Sequence, residues 1–283
     1  MEAVVTKKPH LTIKATSGWA ALNLSEVWHF RDLLFTLAGR DVRLRYRQTA
    51  MGVSWVILQP VMAAGLFTMV FDLICGMKAP PGVPSYFVFT YAGLLGWNIF
   101  FNTIGKVATS MVGNAQLVSK VYFPRVVLPL STIFSTLIDF GVALVLMVVL
   151  LFVYKINPGP GIFLLPVYIC LFLMMSVGLG LIAAALMVSY RDVQYILPVA
   201  LQMMMYASPV MYVITKIPVS WRWAYMLNPL AGLVLGFRSS LLGETEIPNQ
   251  SIYLLYSAAC AVLVFVWGMF SFKRMERKFA DVI

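Results

Sequence analysis

Residues 26–60 read Glu26-Val-Trp-His-Phe-Arg-Asp-Leu-Leu-Phe-Thr-Leu-Ala-Gly-Arg-Asp-Val-Arg-Leu-Arg-Tyr-Arg47 and then Gln48-Thr-Ala-Met-Gly-Val-Ser-Trp-Val-Ile-Leu-Gln-Pro60. An Arg-rich amphipathic segment therefore runs without a linker into an apolar one. Phe30, Leu33, Leu34, Leu37 and Ala38 recur at helical spacing and make one side apolar, while Arg31, Asp32, Arg40 and Asp41 lie on others. A helix of this kind lies along a membrane surface. Asn23 and Glu26 fit a capping box at its start, with Leu22 and Val27 placed as a hydrophobic staple. Two roles suit it: a docking face beside the membrane, or a basic flank that only orients the first span.

The rest of the chain decides that a membrane is present. Of 283 residues, 61% are hydrophobic and 11% charged, with a mean hydropathy of +0.86. So few charges cannot hydrate the surface of a soluble domain of this length, whereas a bilayer accepts apolar surface directly. The formal charge of +10 does not point to nucleic acid, because the basic residues flank apolar runs as topology signals do. Cys75, Cys170 and Cys260 show no paired spacing and read as packing residues. The first twenty residues carry no basic-then-apolar secretory pattern.

Apolar runs of about 20 residues predict six spans near 51–75, 86–110, 126–154, 162–188, 194–214 and 252–272. The second is the weakest, interrupted by Asn98, Asn102 and Lys106. Of the 21 Lys and Arg residues, all but Lys78, Lys155, Lys216, Arg222 and Arg238 fall on one side of this arrangement. The positive-inside rule then puts both termini in the cytoplasm. The expected organisation is an all-α membrane protein: a cytoplasmic N-terminus with the surface helix over 1–50, a six-span domain over 51–272, and a basic tail over 273–283.

Residues 215–251 are too long for a turn and too apolar for a free loop. Asn228-Pro229 divides them, and the second half, with Gly232 and Gly236 as a small-x-x-x-small pair, is too short to span. The composition fits short helices that dip back into the membrane, or an interfacial hairpin marked by Trp221, Trp223 and Tyr225. Two further connections, 113–125 and 189–195, lie on the same side as the termini; the second holds Arg191 and Asp192, which suit either helix-end charges or a docking role.

No Gly-x-x-x-x-Gly-Lys-[Ser/Thr] loop occurs, so ATP hydrolysis by that route is excluded for this chain. The two histidines, His10 and His29, lie outside the spans. Asp72 and Asp139 are the carboxylates of the apolar runs. Asp72 reaches the interface; Asp139, mid-span, reads either as a functional group or as a hydrogen-bonding partner between helices. Aromatic residues, among them Tyr91, Trp97, Phe100 and Phe101 on the second span and Tyr206 and Tyr212 on the fifth, suit a channel wall that stacks on sugar rings, or lipid contact and interfacial belts.

Six stretches carry a resemblance: Arg31-Asp-Leu33; Arg40-Asp-Val-Arg-Leu-Arg-Tyr-Arg-Gln-Thr49 running on through Gly52-Val-Ser-Trp55 to Pro60; Lys120-Val-Tyr-Phe-Pro-Arg125; Tyr190-Arg-Asp-Val193; Ser208-Pro-Val-Met-Tyr212; and Asn228-Pro229. In this order they resemble the permease subunit of type 2 polysaccharide-exporting ABC transporters, the family of O-antigen, capsule and teichoic-acid exporters. The resemblance implies a homodimer, two copies of a separate ATPase that binds ATP and Mg, no cofactor in this chain, and an undecaprenyl-linked polysaccharide as cargo in the inner membrane. It implies ATPase-coupling roles for Arg31, Asp32, Arg40 and Asp41 on the surface helix, Lys120, Tyr122, Phe123 and Arg125 in the first connection, and Arg191 and Asp192 in the second. Channel or substrate roles then fall to Tyr91, Trp97, Phe100, Phe101, Asp139, Tyr206 and Tyr212. Two other readings share the architecture: a type 2 exporter of a drug or small lipid, and an ion-coupled transporter that uses Asp139.

Overall fold

The computed structural model describes residues 24–47, 52, 54–243, 250–276 and 279. Asn23 and Leu22 of the expected cap lie outside the described residues, as does the side chain of Glu26. Helix α1 (Leu24–His29) turns at Phe30 into α2 (Arg31–Tyr46), the surface helix. Then come α3 (Ser54–Thr68), which loosens into a π-helical turn at Met69–Ile74, α4 (Tyr86–Gly113), α5 (Ala115–Lys120) and α6 (Val127–Val153). A 3-10 turn at Gly159–Leu164 leads into α7 (Leu165–Ser189), followed by α8 (Val193–Tyr206), α9 (Val219–Met226), α10 (Pro229–Leu242) and α11 (Gln250–Met275).

Among the described residues, five helical segments are long and apolar enough to cross a membrane: Ser54–Ile74, Tyr86–Gly113, Val127–Val153, Gly159–Ser189 and Ser251–Met275. This is a multi-pass membrane protein. The expected fifth span is different: α8 has 14 residues, which at 1.5 Å per residue reaches about 21 Å against a hydrocarbon core of about 30 Å. The apolar composition continues to Tyr212, but the helix stops before Ser208-Pro209, because proline cannot donate to a helical ladder.

The second span, weakest by hydropathy, is the hub of the bundle. It packs on α3, α6, α7 and α10, and 78% of its apolar window is buried, against 11% for the first span. Buried on its other sides, α4 carries Asn98, Asn102 and Lys106 at i, i+4, i+8 on its one half-buried stripe, where the two amides border a cavity and Lys106 meets Asp139 rather than lipid. α11 closes on α7 where Gly178 meets Gly268: a Cβ on either would collide with the backbone of the facing helix.

The two readings of residues 215–251 divide at Asn228. α9 exposes Trp221 and Trp223 as an interfacial hairpin does. α10 is buried along nearly its whole length, and Cβ atoms at Gly232 and Gly236 would strike Ser257 of α11 and Tyr168 of α7. A short helix at membrane depth needs this burial in protein, since lipid offers its ends no partners. Asn228 supplies the start: its Oδ1 accepts from the Leu230 amide at 3.1 Å, and its Nδ2 donates to Ser208 Oγ at 2.9 Å. Buried Arg238 donates to the Pro209 carbonyl at 3.0 Å and lies 3.9 Å over the Phe89 ring, which pins the 207–213 connection to α4. Residues 215–242 and α2 thus sit at opposite ends of the bundle.

Candidate functional site

The site lies where α2 meets the bundle. Leu37 and Ala38 are buried, and Val27, Phe30, Leu33 and Leu34 pack half-buried on a cluster that includes Met111, Val118, Phe123 and Val127. The apolar face expected to lie on the membrane therefore covers protein, and burial of that face fixes the rotation of α2. Phe35 and Leu44 point outward; Phe35 also meets Phe134 edge-to-face at 5.4 Å.

Fixed in this way, α2 sends two sets of polar groups inward. Arg40 donates from Nε and Nη2 to Asp41 Oδ1 at 3.0 and 2.9 Å and from Nη2 to Asn114 Oδ1 at 2.8 Å. This ties α2 to the start of α5. An open groove of about 570 Å³ follows, bordered by Arg40, Asn114, Gln116, Leu117, Lys120 and Val121.

The second set converges on Asp139 of α6, which is 5% exposed. Tyr46 donates to its Oδ1 at 2.6 Å. Arg45 Nη2, at 3.0 Å, and Lys106 Nζ, at 2.8 Å, share its Oδ2. Lys106 also donates to Ser135 Oγ at 2.9 Å. Burial and the bond to Asp139 push the Tyr46 hydroxyl up to about 12, so it stays a neutral donor in any ordinary medium. A carboxylate removed from water and held by two cations and a phenol is a paired group, the alternative reading of Asp139 realised between helices.

The remaining expected residues are spread over the same end of the bundle. Arg31 and Asp32 form a loose exposed pair at 3.8 Å, with Arg31 stacked 5.4 Å from the Trp28 ring. Lys120 and Tyr122 face outward, whereas Phe123 is buried. The Arg125 amide donates to Glu276 Oε1 at 3.4 Å and its guanidinium to the Glu276 carbonyl, next to the Phe279 ring. Arg125 therefore joins the first connection to the end of α11. Arg191 and Asp192 are exposed at the turn between α7 and α8.

Three of the expected channel residues, Trp97, Phe101 and Asp139, line one cavity of about 280 Å³ in the bundle. Tyr91 and Phe100 are fully buried in packing, with Tyr91 donating to the Ala143 carbonyl at 2.9 Å. Tyr206 is exposed, and its carbonyl accepts from Tyr212 at 2.9 Å. Sequence reasoning passed over Arg45, Tyr46, Lys106 and Asn114. The signal for Lys106 is the Asn98, Asn102, Lys106 stripe, whose helical spacing marks one polar face of α4.

The family model for ABC-2 type transporter matches residues 32–242, from α2 to the end of α10. The chain belongs to the ABC-2 type transporter family. Relatives of this ABC-2 chain align over nearly its whole length. It is 29% identical over 261 residues to the O-antigen export system permease protein RfbA of Myxococcus xanthus, covering 91% of this chain and 98% of that one. It is 27% identical over 253 residues to the protein of the same name from Klebsiella pneumoniae, covering 89% and 95%. The polysialic acid transport protein KpsM of Escherichia coli is 25% identical over 246 residues, covering 84% and 91%.

Proposed function

We propose that this chain is the membrane permease of an ATP-driven exporter that moves a lipid-linked polysaccharide, O-antigen foremost, across the cytoplasmic membrane. The observation that carries the reading is the near full-length similarity to O-antigen export permeases. In this reading two copies of the chain form the path, and two copies of a separate ATPase, which binds ATP and Mg, dock at the α2 end. That end is cytoplasmic, as are both termini, on the distribution of Lys and Arg. α9 and α10 cap the outer end.

The chain's own residues supply the transmission. The ATPase presses on the outward groups of the first connection, Lys120 and Tyr122, and on Arg191 and Asp192. Movement of α5 reaches α2 through Asn114 and Arg40, and α2 passes it to α4 and α6 through Arg45, Tyr46, Lys106 and Asp139. A packed bundle responds to such a push by shifting between discrete arrangements. The ion-coupled alternative is disfavoured, because the Asp139 carboxylate already holds two cations and a hydroxyl donor.

Deletion of the gene tests the function. Surface polysaccharide should vanish while lipid-linked glycan accumulates inside the cell, and plasmid-borne wild type should restore export. Undiminished surface polysaccharide in the deletion strain would sink the reading.

A further inference from the structure

The groups around Asp139 do not balance. Arg45 and Lys106 share one carboxylate, and Tyr46 contributes a neutral donor. Asp41, the other carboxylate on this part of α2, is engaged by Arg40. Among the described residues one positive charge is left over, at a point where Asp139 is 5% exposed and the Lys106 and Arg45 side chains 20% and 38% exposed. An excess cation only partly reached by water is stabilised by an anion placed beside it.

The cavity of about 280 Å³ lies against this cation: Arg45 and Asp139 form part of its wall. Gln59, Asn98, Asn102 and Gln202 bring four side-chain amides to the same wall from α3, α4 and α8. Asn102 and Asn98 continue the line of Lys106 one and two turns back along α4. An amide offers two N–H donors, and Gln202 uses one of its own on the Tyr206 hydroxyl at 3.0 Å. A cationic wall followed by a ladder of neutral donors suits an anion with several oxygens, of which phosphate is the biological example. α3 and α8, which both line the cavity, also turn apolar side chains outward, Met62 and Leu66 on one and Ile196 and Val199 on the other. A molecule with a phosphate in this cavity has apolar surface beside it on which a hydrocarbon tail can lie.

We infer that the cavity beside Arg45 and Lys106 binds the phosphate-bearing head group of a lipid, with the left-over positive charge as its counter-ion. The inference rests on the exporter reading only for which lipid is bound. If the chain exports a lipid-linked glycan, the head group is the pyrophosphate of the polyprenyl carrier; a bilayer glycerophospholipid offers the same chemistry.

The test uses the full chain, purified with its ATPase partner in nanodiscs, and equilibrium binding of radiolabelled C55 polyprenyl pyrophosphate. Unlabelled C55 polyprenol, phosphatidylglycerol and inorganic pyrophosphate serve as competitors. In Lys106→Gln, Asp139 keeps Arg45 and Tyr46, so the helices stay joined while the excess charge is gone. The expected result is roughly tenfold weaker binding of the pyrophosphate lipid in Lys106→Gln, near wild-type binding in Lys106→Arg, and competition by polyprenol at least about tenfold poorer than by the pyrophosphate lipid. Should Lys106→Gln fail to fold, judged by its melting temperature, Arg45→Gln makes the same change in charge from α2.

Equal competition by polyprenol and polyprenyl pyrophosphate overturns the inference, as does wild-type binding in a folded Lys106→Gln protein. Inorganic pyrophosphate that competes as well as the lipid makes the cavity a free-anion site and also overturns it. Phosphatidylglycerol competing on equal terms supports the site and assigns it to a bilayer lipid. The two readings fail separately. A deletion strain that keeps its surface polysaccharide removes the exporter reading whatever binds here; a deletion strain that loses it, with lipid binding indifferent to Lys106, removes only this site.

Discussion

Tyr46, the last residue of the surface helix, donates a 2.6 Å hydrogen bond to Asp139, 93 positions further along the chain and inside the third long helix. The bond makes the end of an external helix part of the interior. It also has a consequence for pH. The Tyr46 hydroxyl is pushed up to about 12 by burial first and the Asp139 bond second, so the folded state holds the proton more tightly than an unfolded chain with an ordinary value of about 10. Its contribution to stability is complete below about pH 10 and is lost as pH rises toward about 12. Thermal unfolding of the solubilised protein between these values should show an alkaline loss that is smaller in Tyr46→Phe; identical profiles would detach Tyr46 from the network.

The bridge between α2 and α5 can be weighed by a double-mutant cycle. Arg40→Ala and Asn114→Ala each remove one partner of a 2.8 Å contact, and their coupling should be about 0.5–1.5 kcal/mol in chemical denaturation. Export should fall in both single variants while the ATPase remains bound. Additive stabilities would mean that the contact carries no energy of its own.

Arg191 and Asp192 are exposed, so their joint replacement by alanine should change stability by no more than about 0.5 kcal/mol. Transport should nevertheless uncouple from ATP hydrolysis. A double variant that exports at the wild-type rate would remove the α7–α8 turn from the docking surface.

The aromatic residues divide by position. Trp97 is 3% exposed at the cavity wall, and Trp97→Ala should cost about 3–5 kcal/mol as well as lower export. Tyr206 is half exposed, so Tyr206→Ala should be close to neutral for folding. Retention of export at full rate in both would take these rings out of the cargo path.

Gly236 sits against the Tyr168 ring. Gly236→Val should destabilise by about 1–3 kcal/mol through overpacking, measured by the melting temperature in detergent. Gly65, inside α3 with open space around it, is the control: Gly65→Ala should not lower that temperature, since alanine favours the helix.

Much of this architecture was legible because the bilayer enforces it. A run of about 20 apolar residues has few other uses, and four of the predicted spans before 200, with the last, became long helices. Within the run at 194–214 the helix occupies Val193–Tyr206, because composition does not show where a helix ends and Ser208-Pro209 lies just beyond it. Gly232 and Gly236 announced a packed short helix, since small residues at that spacing allow close approach. The contacts of Asp139 were illegible for a different reason. Its partners come from α2 and α4, and no local pattern tells which cations of a basic stretch turn inward. Only the apolar pad at Leu37 and Ala38 decides that, by setting which way the helix faces.

That pad gives α2 the mechanics of a lever. The helix is a rod of 16 residues, about 24 Å long, seated near its centre on Leu37 and Ala38, with Asn114 holding it at Arg40 and Asp139 at its far tip. Its attachments depend on angular phase as well as on length. One residue inserted between Asp41 and Arg45 would turn the tip by about 100° relative to the seat, swinging Arg45 and Tyr46 away from Asp139 with every side chain of the interface still present. The helix is timed as well as placed, like a cam cut for one orientation of its shaft.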